Sequence, residues 1–591
     1  MESFLEEKTD QYEALSYVWG DMKARVPIKV GSAMLQIGLN LRHALLAIRL
    51  PDASRTIWAD ALCINQEDLD ERKNQVAIMR KLYRNASQTL VWLGNRIGQT
   101  KGAFADVQRL FDEAQDWRIN PHKRVEPRTG ATFKELLLRT HIDTVFAKNP
   151  WWRRIWTAQE ILLAKRASLW SGQYRIDWDT FLGAIAHGAA LGLLGDFPML
   201  GVVSQSRSFE IDDTLALRST RAFPTPADEM LFLLINTRHR LATDPRDKIF
   251  AILGLVRGDM STLGIQADYR ATTGDVFRHT TMTLLVNSGN LNALGLIFPD
   301  DNSAVHELPS WVPNFGSVGA GPTPMMEDSK HNLRSTHASK HLITRLHWED
   351  GGTTLVIDGH SEGTITHLGR ARLLEMETNT YMTTDDDNSS WLDDLLNVKE
   401  QLDDFLGFFA DIIALSVIYL EWEELAANLK PTNPGLGAGD SMLIFCLTLC
   451  AGTLAPEGLI QTYEMFKTWV SKLEPLRRLR ERKVDEGTRT YRILSLVGYI
   501  RSTWSDYGEF ISYLTHTYGR KIGATSMGYL CLLPKKAEVG DKLVILKGGR
   551  VPVVLRPRDD GSMQFIGEAY VDGIMDGEAF REEDCAKMRI R

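Results

Sequence analysis

An alternation of short apolar runs with amphipathic segments over residues 12–94 constrains the fold more than any other feature. The run EALSYVW ends at a Gly-Asp pair, and RTIWADALCIN and QTLVWLG follow it along the chain. The segments between these runs, 40–49 and 70–84, repeat apolar residues every three to four positions, which is typical of helices packed on a core. Strands that alternate with helices at this spacing predict βαβ units and a parallel sheet. We therefore expect an α/β domain of flavodoxin-like order over 12–172, with parallel strands at 13–19, 57–63 and 88–93.

Local features refine this first region. The stretch VPIKVGSAMLQI alternates apolar and polar residues around a glycine, which predicts a β-hairpin. Asn40 precedes the first amphipathic segment and is a candidate N-cap. Residues 95–148 are polar and irregular, so we interpret them as an insertion, and we expect a short strand in ASLWSG after it.

The rest of the chain changes character several times. A chain of 591 residues is too long for one core, so more than one domain is expected. We assign residues 1–175 to the α/β domain, 176–315 to a helical region, 316–340 to a linker rich in Gly, Pro, Ser and His, and 341–591 to a C-terminal α+β region. Within this last region we predict a hairpin over 341–369, helices over 396–520 and an antiparallel β unit over 525–580, where Gly-Asp and Gly-Gly turns separate short strands.

Net charge and cysteine content restrict the binding partners and the cellular compartment that are expected for the protein. The net charge of −8 argues against broad, non-specific binding of nucleic acid. The five cysteines form no paired motif and no signal peptide is visible, so a reduced, cytoplasmic protein is expected. No apolar run reaches the ~20 residues that a membrane span needs, so no span is predicted. Cys63 lies in an apolar run and is expected in the core.

Several short motifs match catalytic or ligand-binding signatures, but the sequence around each of them does not predict the secondary structure that the signature requires. GHSEG at 359–363 matches the nucleophile elbow of hydrolases, but a helix should follow that serine, Ser361, and TITHLG favours a strand. GLGAGD at 435–440 follows a Pro-rich turn rather than a strand, which disfavours a dinucleotide-binding loop. Cys446 and Cys450 lie one turn apart on an apolar helix and indicate core packing. Neither a metal site nor a bound cofactor is predicted.

The segment WWRRIWTAQE at 151–160 surrounds one carboxylate with aromatic and basic side chains. Glu160 has three interpretations: a solvated helix carboxylate, the ion-pair partner of Arg153 or Arg154, or a residue held among aromatic rings for chemistry. Asp60 and Asn65 likewise fit either a ligand site or simple caps of strand ends and turns. The residues by themselves leave these alternatives open.

Three long motifs occur in a fixed order: YEALSYVWGD at 12–21, IWADALCINQEDLDERKNQVAIMRKLYRNASQTLVWLG at 57–94 and NPWWRRIWTAQEILLAKRASLWSG at 149–172. Together they strongly resemble the heterokaryon incompatibility (HET) domain of filamentous fungi. LATDPRDKIFAILGL at 241–255 and the tail over 554–578 are similar to segments that accompany this domain. The resemblance implies a role in non-self recognition and in programmed cell death when incompatible hyphae fuse.

HET domains are in turn similar to Toll/interleukin receptor (TIR) domains. Residues 12–21 resemble the first TIR strand, and Trp156 and Glu160 have the spacing of the TIR tryptophan and its catalytic glutamate. Enzymatic TIR domains cleave NAD between nicotinamide and ribose. The resemblance therefore implies that Glu160 is catalytic and that NAD or a related nucleotide is the substrate. The chain departs from the TIR pattern at Thr157, where a cysteine is typical, and in the long insertion before the Trp156 helix.

Cleavage of the bond between nicotinamide and ribose requires few catalytic groups beyond one carboxylate. Nicotinamide leaves as a neutral group, so the main requirement is a negative charge that stabilises the developing positive charge on ribose. Parallel sheets bind ligands beyond the C-terminal ends of their strands, where Trp19 and Trp156 are expected to line one cavity with Glu160. The residues expected to contact the nucleotide are Ser16, Tyr17, Trp19, Gly20, Asp21, Asp60, Asn65, Gln66 and Trp156.

Two functions remain open at this point. The first is an NAD glycohydrolase whose activity depletes the cell of NAD. The second is a non-enzymatic, TIR-like module that signals by self-assembly as a homo-oligomer, under the control of its C-terminal region or of an unknown protein partner. Neither composition nor spacing separates them.

Overall fold

A computed structural model describes most of the chain, which divides into two compact units, Met1–Asn287 and Ser288–Arg591. The described residues are 11–20, 23–95, 100–120, 142, 145–146, 149–190, 223–238, 240–257, 262–298, 308–317, 324–325, 336–340, 342, 345–372, 418–429, 441–454, 458–474, 510 and 512–591.

The N-terminal unit alternates strands and helices as the sequence predicts. Its strands are β1 Glu13–Tyr17, β2 Arg25–Val30, β3 Ala33–Gly38, β4 Ile57–Trp58, β5 Thr89–Trp92, β6 Ala167–Ser171 and β7 Tyr174–Asp177. Its helices are α1 Leu39–Ile48, α2 Asp60–Cys63, α3 Leu69–Asn85, α4 Thr100–Ile119, α5 Ile155–Leu162, α6 Trp178–Ala190, α7 Pro226–Thr237, α8 Asp247–Leu253 and α9 Thr273–Ser288, the last of which ends at the boundary between the units.

Five of these strands form one mixed sheet in the order β4-β1-β5-β6-β7. Strands β4, β1, β5 and β6 are parallel, and β7 pairs antiparallel with β6. Counted along the chain, the order is 2-1-3-4-5, which doubly wound sheets of flavodoxin-like order also have. The predicted parallel arrangement of the first three strands is confirmed, and β2 and β3 form the predicted hairpin.

The second predicted strand is shorter than expected. It covers Ile57–Trp58 and gives way to α2, where the Asp60 side chain accepts a hydrogen bond from the backbone N–H of Ala61. Such a local side-chain bond competes with strand pairing. Cys63 is consequently exposed at the end of α2, so the prediction that it lies in the core is wrong.

Strand β1 divides the apolar core of the sheet into two faces. Successive side chains of a strand point to opposite faces. Leu15 and Tyr17 therefore pack with α1, whereas Ala14 packs against Met79 and Tyr83 of α3. The same alternation turns the side chain of the next even-numbered residue, Ser16, toward the α3 face.

Helix α1 begins differently from the prediction. Gly38 is its N-cap residue, and Asn40 lies inside the first turn. The Asn40 amide nitrogen donates to the carbonyl of Val18, 2.6 Å away, and its oxygen accepts from the Trp92 indole at 2.9 Å. Asn40 thus joins the chain just beyond β1 to the end of β5.

The region before α5 is more regular than predicted. Helix α4 fills much of 95–148 and buries Ala103, Phe104 and Val107, so the irregular conformation expected there is wrong for 100–119. These apolar residues recur at helical spacing, but polar residues separate them widely enough to weaken the pattern. The prediction for residues 121–141 concerns a segment outside the described residues.

The C-terminal unit contains an antiparallel sheet, as the sequence predicts. Its strands are β8 His347–Glu349, β9 Thr354–Leu368, β10 Arg520–Thr525, β11 Leu530–Pro534, β12 Lys542–Leu546, β13 Val553–Pro557, β14 Met563–Glu568, β15 Tyr570–Val571 and β16 Ala586–Ile590, and its helices include α10 Ser441–Leu449 and α11 Leu459–Lys472. Strand β9 pairs with β16 and also with β12, which closes β12, β13, β14, β16 and β9 into a ring. Within the ring only β14 and β16 are parallel.

The GHSEG segment lies in the middle of β9. Ser361 is exposed on a continuous strand, so the helix that a nucleophile elbow requires is absent there. Among the described residues, no helix is long and apolar enough to span a bilayer.

We expect Asn40→Ala to destabilise the N-terminal unit by about 1–3 kcal/mol, because it leaves the Trp92 indole N–H and the Val18 carbonyl without their partner. Asn74→Ala is the matched control, since Asn74 is exposed on α3. Thermal or urea unfolding of both variants measures the difference. Equal stability of the two variants would contradict the bridging role of Asn40.

Candidate functional site

The segment that carries Glu160 is anchored to the end of β5. Asn149 caps the 3-10 turn Pro150–Arg153 by accepting from the backbone N–H of Trp151. Its amide nitrogen donates to the carbonyl of Leu93, at 2.7 Å. Helix α5 then begins at Ile155 and carries Glu160 toward the sheet.

Glu160 receives its hydrogen bond from β1. The Trp151 indole donates to Ser16 Oγ at 2.8 Å, and Ser16 Oγ donates to Glu160 Oε2. Because the serine oxygen accepts from Trp151, its own hydrogen is free to point at the carboxylate. All three side chains are buried, and only 3% of the Glu160 surface is exposed. The solvated-carboxylate interpretation of Glu160 is therefore wrong.

The ion pair considered for Glu160 is also absent from the described residues. Arg153 is exposed. Arg154 donates instead to the carbonyl of Tyr17, at 2.6 Å, and lies 3.8 Å from the Asp60 carboxylate. Glu160 is thus a buried carboxylate whose partner is a neutral hydroxyl.

This environment changes the acidity of Glu160. Burial raises the pKa of its carboxyl from 4.5 to about 7, and the Asp60 charge adds to the rise. The positive charge of Arg154 and the Ser16 hydrogen bond lower the pKa, but less than burial raises it. The carboxyl therefore changes its protonation state near neutral pH.

A polar edge surrounds the C-terminal ends of β1 and β4. The Trp19 indole donates to Asp60 at 2.8 Å, and the Arg154 guanidinium lies 5.5 Å from the Trp19 ring centre. Burial raises the pKa of the Tyr17 phenol, and the Asp60 charge raises it further. Three predicted residues, Tyr17, Trp19 and Asp60, thus come together at the strand ends where doubly wound sheets bind ligands, and Ser16 lies next to Tyr17 on β1 with its side chain on the opposite face.

Gly20 ends this segment with a backbone conformation that favours glycine. Its φ is +72°, in the left-handed region, so a side chain here would be strained. Asp21 lies outside the described residues.

Asn65 and Gln66 follow α2 and precede α3. Asn65 is exposed, its N–H donates to Glu71 and its side-chain oxygen accepts from the Glu67 N–H. These are the local hydrogen bonds of a turn, so a role in capping the turn explains the presence of Asn65. Gln66 is half-buried, and among the described residues no hydrogen bond joins it to Glu160.

Trp19 and Trp156 belong to different faces of the sheet. Trp19 packs with the α1-side cluster, whereas Trp156 packs with the α3-side cluster. The Trp156 indole donates to Asp247, 3.1 Å away, rather than facing Trp19. The prediction that the two rings line one cavity is therefore wrong, because the sheet separates them.

Trp156 is held in place by residues that the sequence analysis did not assign to the site. Asp247 also accepts from the Tyr269 hydroxyl at 2.7 Å and lies 3.6 Å from Arg72. Burial raises the pKa of the Asp247 carboxyl. The motif LATDPRDKIFAILGL contains Asp247, but its spacing alone gave no indication that it contacts Trp156. No group of three or more His, Cys, Asp or Glu side chains in the described residues could hold a metal ion.

We expect Glu160→Gln to stabilise the protein relative to wild type as pH rises. A carboxyl with a raised folded-state pKa contributes stability that is fully present below its unfolded-state pKa of 4.5 and is lost as pH rises from there through the folded-state pKa of about 7, because the unfolded chain ionises first. Glutamine has no such loss, so between about pH 5 and pH 8 the free energy of unfolding of the variant should rise by roughly 2.5 kcal/mol relative to that of wild type.

Urea unfolding at both pH values measures this gain. Glu583→Gln is the matched control, because Glu583 is exposed and its substitution should have the same effect at both pH values. A Glu160→Gln effect that does not change with pH would contradict the raised pKa.

Comparisons with known proteins agree with the sequence motifs. Residues 12–160 match the family model "Heterokaryon incompatibility protein (HET)", and residues 458–587 match the "Het-6 beta-barrel domain". The chain is 25% identical to "Heterokaryon incompatibility protein 6, OR allele" of Neurospora crassa, over 96% of this chain and 89% of that protein. No solved structure matches the chain significantly. The two domain matches and this relative identify the chain as a HET domain protein.

Proposed function

We propose that the chain acts in fungal non-self recognition and programmed cell death, and that its HET domain hydrolyses NAD at the bond between nicotinamide and ribose. The name of the Neurospora crassa relative supports the first part. The TIR-like character of residues 12–172 is part of the proposal, and the 2-1-3-4-5 strand order and the Trp156–Glu160 spacing support it. The five free cysteines support action in a reducing compartment such as the cytoplasm.

The observation that carries the proposal is a buried carboxylate that forms no direct ion pair among the described residues, although the charges of Arg154 and Arg240 act on it. A buried charge that is not paired costs several kcal/mol and is a liability for stability. Within the part of the chain that the structure describes, the Glu160 carboxylate has one hydrogen-bond partner, Ser16 on strand β1. Carboxyls with strongly raised pKa values concentrate at functional sites, so a chemical role accounts for this arrangement better than packing does.

The chemistry assigns a role to each part of the site. Ionised Glu160 would stabilise the positive charge that develops on ribose as neutral nicotinamide leaves. Trp19 offers an aromatic face to nicotinamide or adenine, and Arg154 offers a cation to the pyrophosphate. Because only 3% of Glu160 is exposed, the side chains that cover the carboxylate have to move before ribose can contact it.

This enclosure also favours a second candidate function. A HET domain that signals by self-assembly, without hydrolysing NAD, needs no access to Glu160. In that case the Ser16–Glu160 bond would hold α5 on β1, and the C-terminal region or a protein partner would control assembly. The two candidates differ in whether nicotinamide is released.

We expect the purified full-length protein to release nicotinamide from NAD and Glu160→Gln to reduce the rate about 10²–10³-fold, as loss of a transition-state charge typically does. Glu583→Gln, with its exposed side chain, should keep the wild-type rate. Melting curves of both variants show whether the fold is kept. Full activity of a folded Glu160→Gln variant would refute the catalytic role.

Expression in a filamentous fungus separates the two candidates. If wild type and Glu160→Gln both kill cells and neither releases nicotinamide, the self-assembly function is supported instead.

The rate of nicotinamide release should rise with pH and reach half its maximum near pH 7, because the carboxylate form is required and the pKa of Glu160 is about 7. Single-turnover rates across this range measure the profile. A rate that is constant from about pH 5 to pH 8 would contradict Glu160 as the titrating group.

A further inference from the structure

The exposed apolar side chains of the described residues are not evenly distributed. Six of the fourteen large apolar side chains that are exposed lie between residues 30 and 50. Single exposed apolar residues need no explanation, but a cluster of them usually marks a surface that binds something. The six residues are Val30, Met34, Leu35, Leu39, Leu46 and Leu50.

The same stretch is basic, although the chain as a whole is acidic. Residues 23–51 contain no Asp or Glu, whereas the net charge of the whole chain is −8. They also contain no Phe, Trp or Tyr. Five basic side chains in this stretch are exposed, namely Lys23, Arg25, Lys29, Arg42 and Arg49.

The β2–β3 hairpin arranges these groups around its tip. Val26, Ile28 and Ile37 pack against the core of the sheet. The Gly31-Ser32 turn leaves Val30 and Met34 beside it, 48% and 60% exposed. Lys29 lies directly opposite Met34 in the register. The tip is therefore an apolar projection with a basic residue next to it.

The outer side of helix α1 also combines exposed apolar and basic side chains. The helix buries Leu41, Ala44 and Ile48, and Leu45 and Ala47 are partly buried against the same core, so the exposed side of the helix is narrow. The outer positions 39, 42, 46 and 49 follow helical spacing and alternate leucine with arginine. Among the described residues, no ion pair involves Lys29, Arg42 or Arg49. We call the β2–β3 hairpin and this outer stripe of α1 the basic–apolar surface.

We propose that the basic–apolar surface binds the anionic face of a phospholipid membrane from one side, without spanning it. Aliphatic side chains that project between lysines and arginines are suited to insertion among acyl chains while the charges contact lipid phosphates. This inference goes beyond the proposed function, since it concerns where the HET domain acts and does not depend on Glu160.

Two other occupants fit the surface less well. A symmetric contact with a second copy would bring two basic surfaces together, because such an interface uses the same patch on both subunits. Single-stranded nucleic acid is held by aromatic stacking as well as by positive charge, and residues 23–51 have no aromatic side chain except a histidine. A membrane uses both properties of the surface, the charge and the aliphatic side chains.

Co-sedimentation of the full-length protein with vesicles tests the proposal. Vesicles of phosphatidylcholine and phosphatidylserine should bind the protein, and vesicles of phosphatidylcholine alone should not. Lys29→Gln/Arg42→Gln should weaken binding about fivefold for each charge removed, and Val30→Ser/Met34→Ser about tenfold or more.

Matched variants control for general effects. Val539→Ser/Met527→Ser changes the same residue types where they are 64% and 58% exposed, and should leave binding unchanged. Lys101→Gln/Arg118→Gln removes two exposed charges from α4 and should also leave it unchanged. Absence of binding to the anionic vesicles, equal binding to both kinds of vesicle, or equal losses in test and control variants would overturn the proposal, as would a surface that instead dimerises or binds oligonucleotide.

Discussion

The hydrogen bond between Ser16 and Glu160 fixes the position of the buried carboxylate in the N-terminal unit, and the surrounding contacts are arranged around it. Strand β1 directs Leu15 and Tyr17 to the α1 side, so Ser16 must face α5. The buried Trp151 ring fixes the direction of the serine hydroxyl and is itself packed against Trp152 and Trp178. The aromatic cluster therefore maintains the geometry of the carboxylate, and the packing around it has to offset the cost of burying an acid that ionises near neutral pH.

Two aspartates hold the tryptophans on either side of this bond. Asp60 accepts from Trp19 on the α1 side, and Asp247 accepts from Trp156 on the α3 side. A buried indole N–H generally requires such an acceptor. Arg154 adds a further link by donating to the carbonyl at the end of β1. The helix that carries Glu160 is thus tied to the sheet at its beginning and to α8 along its length, which limits how far the carboxylate can move.

Local periodicity predicted much of the fold and little of the polar network. Strands β1 and β5 and helices α1 and α3 follow from apolar spacing, because each is packed against a core that selects that spacing. The second strand was overestimated because the Asp60 side chain forms a turn that apolar content does not indicate. The Trp156–Asp247 bond joins residues 91 positions apart, and no local pattern encodes such a contact. For the site, the motif located Glu160, whereas its serine partner and its burial required the three-dimensional arrangement.

The ring of strands in the C-terminal unit has a consequence for biosynthesis. Strand β9 pairs on one edge with β16 and on the other with β12, and both are made long after β9. Contacts between segments so distant in sequence close slowly, because the loop entropy is lost before the contacts form. During translation only β8, which precedes β9, can pair with it at Thr354–Val356, so the edge that later pairs with β16 stays open and is a template for aggregation until residues 586–590 have been added. A chain that ended before these residues would retain one open edge permanently, so quality control would have a physical feature by which to recognise an incomplete molecule.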